Sequence, residues 1–342
     1  VAVSRVFVHG LGAVSPAGWG VAALSAALKK NLPVQTQTMA RPGWEKPFHV
    51  RSVPPPISVP AFFAHPRLRR AGSIAQFTVA AALEALGEDV SLVQRGAMRL
   101  GIIVGVMAGG VGYSRRFYEE ILQNPKTASP LIFPETVFNA PASHLAAFLG
   151  SKTVSYTLVG DEGTFLQGAA IAAQWLGDDR VDACLMIGAE ETDWIVADAM
   201  NLFQHNVIHG AGAGAVLLKK NSGAGAIAEL AAVTDSFPFT RVRPRAEAAR
   251  KMQAQLPGGG PDELLCVSGQ GAAENAAWKN WAGSRLAPET ILGEAFVASA
   301  AWQCVAACEK IRQREFAAAS VSVVGVNQQA VGARFLACAE TV

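Results

Sequence analysis

Residues 156–170 read YTLVGDEGTFLQGAA and residues 181–191 read VDACLMIGAEE. The apolar, β-branched run Thr153–Leu158 reads as a strand, and Gly163–Leu176 as the helix that follows it. Ala183–Gly188 is a second apolar strand. Strand, glycine turn, helix and strand in this order form the unit of an α/β protein whose sheets are covered by helices. The helix is apolar on all faces, with Phe165, Leu166, Ala169, Ala170, Ala173, Trp175 and Leu176 leaving little polar surface. Such a helix is buried between layers.

The same alternation extends in both directions. Val6–Gly10, Leu100–Val106, Ala213–Leu218, Leu264–Val267 and Val321–Val324 are further strands, and Ala71–Leu86, Ala272–Trp281 and Val297–Arg312 further helices. Two stretches break it. Residues 31–60 are rich in proline and cannot be regular throughout, and the glycines within 255–261 mark a flexible loop. Residues 209–220, HGAGAGAVLLKK, open a second αβ set, so two halves are expected, 1–220 and a shortened 221–342.

Composition narrows the class. Of 342 residues 51% are hydrophobic and only 16% charged, little solvating charge for so much apolar mass. Apolar surface must be hidden in a thick core or a subunit interface, which favours an oligomer. A net charge of +2 sets up no field toward nucleic acid or an anionic membrane. The basic concentrations are Arg67, Arg69 and Arg70, and Arg241, Arg243 and Arg245. They read as solvated charges, or as a dock for an acidic protein or phosphorylated arm. No apolar run is long enough to span a bilayer. The opening VAVSRVFVHGLG patterns as a strand and lacks the charged end and long apolar stretch of a secretion signal. The five cysteines (184, 266, 304, 308 and 338) sit mostly in apolar runs, as reduced core residues do. A cytoplasmic protein is expected, with no metal site and no cofactor.

Six segments, in order, resemble the β-ketoacyl-acyl carrier protein synthases: VFVHGLGAVSPAG (6–18), RLRRAGSIAQFTVAAALEAL (67–86), FPETVFNAPASHLAAFLG (133–150), VDACLMIGAEE, HGAGAGAVLLKK and LGEAFVASAAWQ (292–303). The resemblance implies the thiolase-like five-layer αβαβα fold, two related halves and an obligate dimer.

Condensing members of that family need a cysteine thiolate at a helix N-terminus to attack an acyl thioester. They also need two histidines to stabilise the enolate left by decarboxylation. Counting back from VDACLMIGAEE puts the nucleophile position at Glu162. The first histidine position, in LLCVSGQGAAENAAW (264–278), reads Gln270, and the second reads Glu294. The lysine five residues before the second histidine is matched by Glu289. The C-terminal loop SVVGVNQQAVG (322–332) keeps Gly325 and Asn327 without the family's Gly-Phe-Gly-Gly run. Loss at four positions together implies decay of the condensation chemistry, and Glu289 and Glu294 put negative charge where a malonyl carboxylate would enter. Asp161 and Glu162, at a strand-to-helix junction, read as a helix cap. His9, His49, His65, His144, His205 and His209 read as structural, with His144 and His205 of interest only beside Glu162.

Members without the cysteine include chain-length factors, which pair with an active ketosynthase in type II polyketide and aryl-polyene systems and bound its acyl tunnel. The resemblance therefore implies a non-catalytic subunit, an active ketosynthase as partner, and acyl carrier protein reached through the complex. The dimer edge would lie in 151–168, with Thr153, Val154, Tyr156 and Leu158 pairing across the two-fold. Phe133, Phe138 and Phe165 are candidates for the tunnel wall, or are core packing. Two alternatives stay open: a divergent decarboxylase, acyl transferase or hydrolase using Glu162, and a homodimeric acyl-binding scaffold. Glu162 departs from the glutamine common in aromatic polyketide systems, and the chain is short for the family, departures that leave the pathway open; by resemblance alone an aryl-polyene or related fatty acyl system fits better than an aromatic polyketide one.

Overall fold

The computed structural model describes residues 5–152, 154–203, 207–223, 225–269 and 271–338. Gln270, Thr153 and His205 lie outside these residues. The main sheet path joins two sets of five strands. The first is β1 (Phe7–Ser15), β2 (Leu100–Val106), β3 (Ser155–Val159), β4 (Ala183–Glu190) and β5 (Gly212–Lys219), paired in the order β1-β5-β4-β2-β3. The second is β6 (Ala228–Val233), β7 (Glu263–Cys266), β8 (Ser284–Leu286), β9 (Ala318–Val324) and β10 (Gln329–Ala337), in the order β6-β10-β9-β7-β8.

The two orders are the same once each set is counted from its own first strand. Their directions match as well. In each set the first two pairings along the path are antiparallel and the last two parallel. The sets meet through a short antiparallel contact, Phe7 opposite Glu229 and Val8 opposite Ala228. This is the thiolase-like α/β architecture with two related halves.

The helices that cover the strands are α1 (Ser73–Leu86), α2 (Val111–Gln123), α3 (Ala140–Leu149), α4 (Thr164–Gly177), α5 (Trp194–Asn201), α6 (Arg245–Ala254) and α7 (Val297–Arg312). Side chains along a strand alternate between faces, and here they separate three apolar clusters. Ile102, Val104, Val106, Leu185 and Ile187 turn outward to α1 and α3. Ile103, Cys184, Met186, Val216 and Leu218 turn inward to α4 and α7, which also receive Leu264, Cys266 and Val321 from the second set. Leu265, Val267 and Ala330 face α6 on the far side. Helix, sheet, helix, sheet, helix is the resulting stack.

Covered on both faces, β2, β4 and β9 are buried at every residue, which explains their near-continuous apolar runs. Helix α7 lies close on the strands because they carry glycine beneath it. A Cβ on Gly214 would stand 2.7 Å from the Ala301 Cβ.

Two sequence expectations shift. The helix expected over Ala272–Trp281 ends at Ala277, because the Trp278 indole turns into the core and donates to Ser322 Oγ at 2.9 Å. The proline-rich stretch carries a short hairpin, Gln37–Met39 with Phe48–Arg51, which pairs onto His209–Gly210. No helix among the described residues is long and apolar enough to cross a membrane.

Candidate functional site

Where β3 turns into α4, Asp161 and Glu162 are both buried. Asp161 Oδ2 accepts the N–H groups of Gln328 at 2.9 Å and Gln329 at 3.3 Å, and Glu162 Oε2 accepts that of Val326 at 2.8 Å. The pair therefore fastens the loop between β9 and β10. This corrects the helix-cap expectation: the N-cap of α4 is Gly163, and no side chain caps it.

From the other half come Glu289, in a short helix over Pro288–Leu292, and Glu294, in the turn leading into α7. Glu294 Oε1 accepts the Phe296 N–H at 2.7 Å, and Ser299 Oγ accepts that of Ala295 at 2.8 Å. Phe296 holds φ 46° and ψ −117°, a conformation that costs a non-glycine residue about 1–3 kcal/mol. The turn is thus fixed by carboxylate and hydroxyl against its own backbone preference. Behind it, Gln303 Nε2 donates to Glu289 Oε1 at 3.1 Å.

Glu162, Glu289 and Glu294 meet in one cavity of about 230 Å³, with Arg245, Ser268 and Val207 among the other lining residues. Burial pushes Glu162 well above the ordinary carboxylate range, reinforced by the charges of Glu294 and Asp161. Glu289 is also pushed well up, by burial first and then by the charge of Glu294, to which it donates a hydrogen bond. Glu294 is raised by burial, but the bonds it accepts from Glu289, Phe296 and Ser299, and the nearby Arg245, oppose the rise. Between the last two, Glu289 is the hydrogen-bond donor and Glu294 the acceptor, and burial favours the protonated form of each. The expected repulsion toward an incoming carboxylate is therefore weaker than the formal count of glutamates implies, because burial keeps protons in the cavity.

Among the described residues, no cysteine or histidine lines this cavity. Cys184, the nearest thiol in sequence, lies on β4 facing the central layer, where burial pushes its thiol up. A site with three carboxyl groups can donate and accept protons. Its described residues include no thiol and no imidazole.

Among solved structures, the ishigamide ketosynthase/chain length factor superposes with a TM-score of 0.83 at 18% identity, covering 98% of this chain and 100% of that one. The fold is that of the ketosynthases and chain length factors. A type II PKS acyl-carrier protein in complex with its ketosynthase, AntDE:AntF, gives a TM-score of 0.80 at 18% identity, covering 98% and 99%. A β-ketoacyl synthase from Burkholderia phymatum gives 0.79 at 16% identity, covering 98% and 100%. No family model matches the chain, and no curated protein does.

Within this ketosynthase-like fold the other candidates separate. Strand β3 ends the sheet path, with Tyr156 44% and Val159 54% exposed. Val154 and Leu158 pack against the central cluster, and the Tyr156 ring meets Trp175 edge-on at 4.8 Å. Phe165 is buried in the central layer, whereas Phe133 and Phe138 are exposed. Phe133 meets Phe117 of α2 at a tilt, with centroids 5.7 Å apart, and Phe138 lies over Gly109. His144 bonds Glu135 at 2.8 Å, in a pair separate from the carboxyl cavity.

Two contributors escaped the sequence reading. Arg245, read there as one of three solvated arginines, reaches the carbonyls of Val324 and Gly325 and lines the cavity. His209 pairs its backbone with Glu294 in a parallel bridge. Neither residue carries a local signal, since each is placed by contacts between the two halves.

Proposed function

We propose that this chain is a non-catalytic ketosynthase-like subunit of chain-length-factor type, which dimerises with an active β-ketoacyl-acyl carrier protein synthase and bounds its acyl tunnel. The observation that carries this reading is the carboxyl-lined cavity, where a condensing enzyme would present a thiol and two imidazoles. The open edge of β3 supports the dimer, because an end strand with exposed Tyr156 and Val159 seeks a partner. The partner supplies the thiol, and acyl carrier protein is engaged through the complex. Phe133 and Phe138 lie on the exposed side of the fold, where a partner surface would complete the tunnel wall; Phe165 acts as packing. The pathway is of type II polyketide, aryl-polyene or related fatty acyl kind. The test is co-expression with a ketosynthase of the same system, followed by mass analysis and an elongation assay with and without this chain. A one-to-one complex whose products change in length or yield supports the reading. A homodimer without effect on elongation overturns it.

A second reading has one observation in its favour: burial and the charges of Glu294 and Asp161 push the Glu162 carboxyl well above the ordinary carboxylate range, toward its protonated form. A protonated carboxyl in a cavity is a general acid, as an acyl hydrolase or malonyl decarboxylase would require. Incubation of the chain alone with malonyl- and acyl-carrier protein decides between them. Free acid or carbon dioxide released by the wild type and not by Glu162→Gln would favour the enzyme.

A further inference from the structure

The carboxyl cavity also carries a hydroxyl. Ser268, just past β7, lines it and is half-buried. Its Oγ donates to Glu274 Oε2 at 2.6 Å. Glu274, in the short helix Ala272–Ala277, is fully buried and is not among the lining residues, so it stands behind Ser268. Its other oxygen, Oε1, accepts from Ser322 Oγ at 2.6 Å, and Ser322 Oγ accepts from the Trp278 indole at 2.9 Å. Indole, hydroxyl, carboxyl and hydroxyl therefore form one chain from the core to the cavity. Glu274 is the acceptor in each of its bonds, the Ser268 N–H at 3.1 Å included, as a carboxylate is and a carboxylic acid is not. Burial pushes Glu274 up from its ordinary value, against the bonds it accepts, which makes its carboxylate a stronger base than a wetted glutamate.

A nucleophile within hydrogen-bond reach of a base that a third group orients is the arrangement of covalent catalysis. We propose that Ser268 is an acyl-accepting nucleophile with Glu274 as its base, acting on a short, uncharged acyl thioester or activated ester. Glu274 takes the hydroxyl proton as Ser268 Oγ bonds the acyl carbon. The carbonyl electron pair moves onto its oxygen, and Arg245 is the cation among the described lining residues that can stabilise it. Collapse breaks the bond from carbon to sulfur, and the Glu162 carboxyl protonates the departing thiolate. Water then attacks the acyl-serine, giving its proton to Glu162, and Ser268 recovers its own from Glu274. A carboxylate is a weak base for a hydroxyl, so the leaving group must be a good one. The acyl group is short because the cavity is about 230 Å³, and uncharged because valines 207, 323, 324 and 326 line it beside the glutamates. The inference rests on the hydrolytic reading of this cavity and leaves the subunit reading untouched.

The test uses the full chain without a partner. A fluorophosphonate, whose phosphorus bonds an activated serine oxygen as fluoride leaves, is located by peptide mass analysis. Hydrolysis is followed with nitrophenyl acetate and with the acetyl thioester of N-acetylcysteamine. Expected is an adduct at Ser268, absent in Ser268→Ala, and hydrolysis lowered on the order of a hundredfold in Ser268→Ala and in Glu274→Gln. Wild-type hydrolysis should climb with pH as Glu274 ionises, a dependence Glu274→Gln should lack. Circular dichroism checks each fold; should Glu274→Gln not fold, wild-type labelling and Ser268→Ala still decide. Ser73, which donates to Glu191 at 2.7 Å at the head of α1, is the internal control for a merely structural pair of serine and glutamate. No adduct at Ser268, or equal labelling at Ser73, overturns the proposal, as does an adduct without hydrolysis. Acid released equally by wild type and Ser268→Ala also overturns it while the hydrolytic reading stands; no adduct and no acid from any substrate overturns both.

Discussion

Glu289 is the residue whose chemistry is most constrained. It donates to Glu294, accepts from Gln303 Nε2, and burial pushes its carboxyl well above the ordinary range. A carboxyl whose pKa is raised on folding contributes stability that is full below the unfolded value near 4.5 and lost as pH climbs through the folded value. Glu162 and Glu294 shift in the same direction, and Glu190, buried behind Met107 and Ala108, is pushed up to about 8. Thermal stability should therefore fall between about pH 5 and pH 8, by up to about 1.4 kcal/mol per pH unit for each proton retained. Glu289→Gln keeps the shape, the acceptor toward Gln303 and the donor toward Glu294, but has no proton to lose. Its melting temperature at pH 8 should exceed the wild type's by roughly 2 °C or more, with the difference vanishing at pH 4.5. Equal pH slopes for the two proteins would show that Glu289 is already ionised. At the same scale, Glu162→Cys places a thiol at the head of α4, yet neither imidazole accompanies it. Alkylation by iodoacetamide should appear at that thiol with no condensing activity.

Elements were legible from sequence to the degree that their signal was local. The apolar runs of β2, β4 and β9 announce burial on both sides, and the structure buries them so; most of α4 and α7 is buried as well. The early end of the helix at Ala277 was not legible, because Trp278 answers to Ser322 on a distant strand. Likewise Glu162, Glu289 and Glu294 could each be placed by counting along the chain, while their convergence with Arg245 needs both halves assembled. The edge strand and the strand beneath α7 yield separate predictions. Tyr156→Asp puts a charge on the open side of β3, and should dissociate the proposed complex with a ketosynthase in size-exclusion while leaving the fold's circular dichroism intact. Gly214→Val drives branched carbon into α7 against Ala301 and should destabilise the chain by about 1–3 kcal/mol in denaturant titration, since overpacking leaves the helix no room.

At the scale of the molecule, the central layer decides how the halves depend on one another. Both sets of strands cover α4 and α7, yet α4 belongs in sequence to the first half and α7 to the second. Each half therefore lends one helix to a core that neither encloses alone. We place the seam after residue 220, between β5 and β6. Residues 1–220 by themselves would leave the inward faces of β4 and β5 without α7, exposing Met186, Val216 and Leu218 on one side. Apolar surface of that extent is not stable in water and directs association. Expressed separately, 1–220 and 221–342 should each be aggregated or unfolded; expressed together, they should recover a complex with the circular dichroism of the intact chain. Recovery is expected because the connection at residue 220 lies outside the central cluster, and the contacts between the halves, side-chain packing, the short β1–β6 pairing and the hydrogen bonds from Asp161 and Glu162, do not depend on chain continuity there. A soluble, cooperatively melting fragment 1–220 would show that the first five strands enclose their own core, and that the shared layer is a docked interface between independent domains.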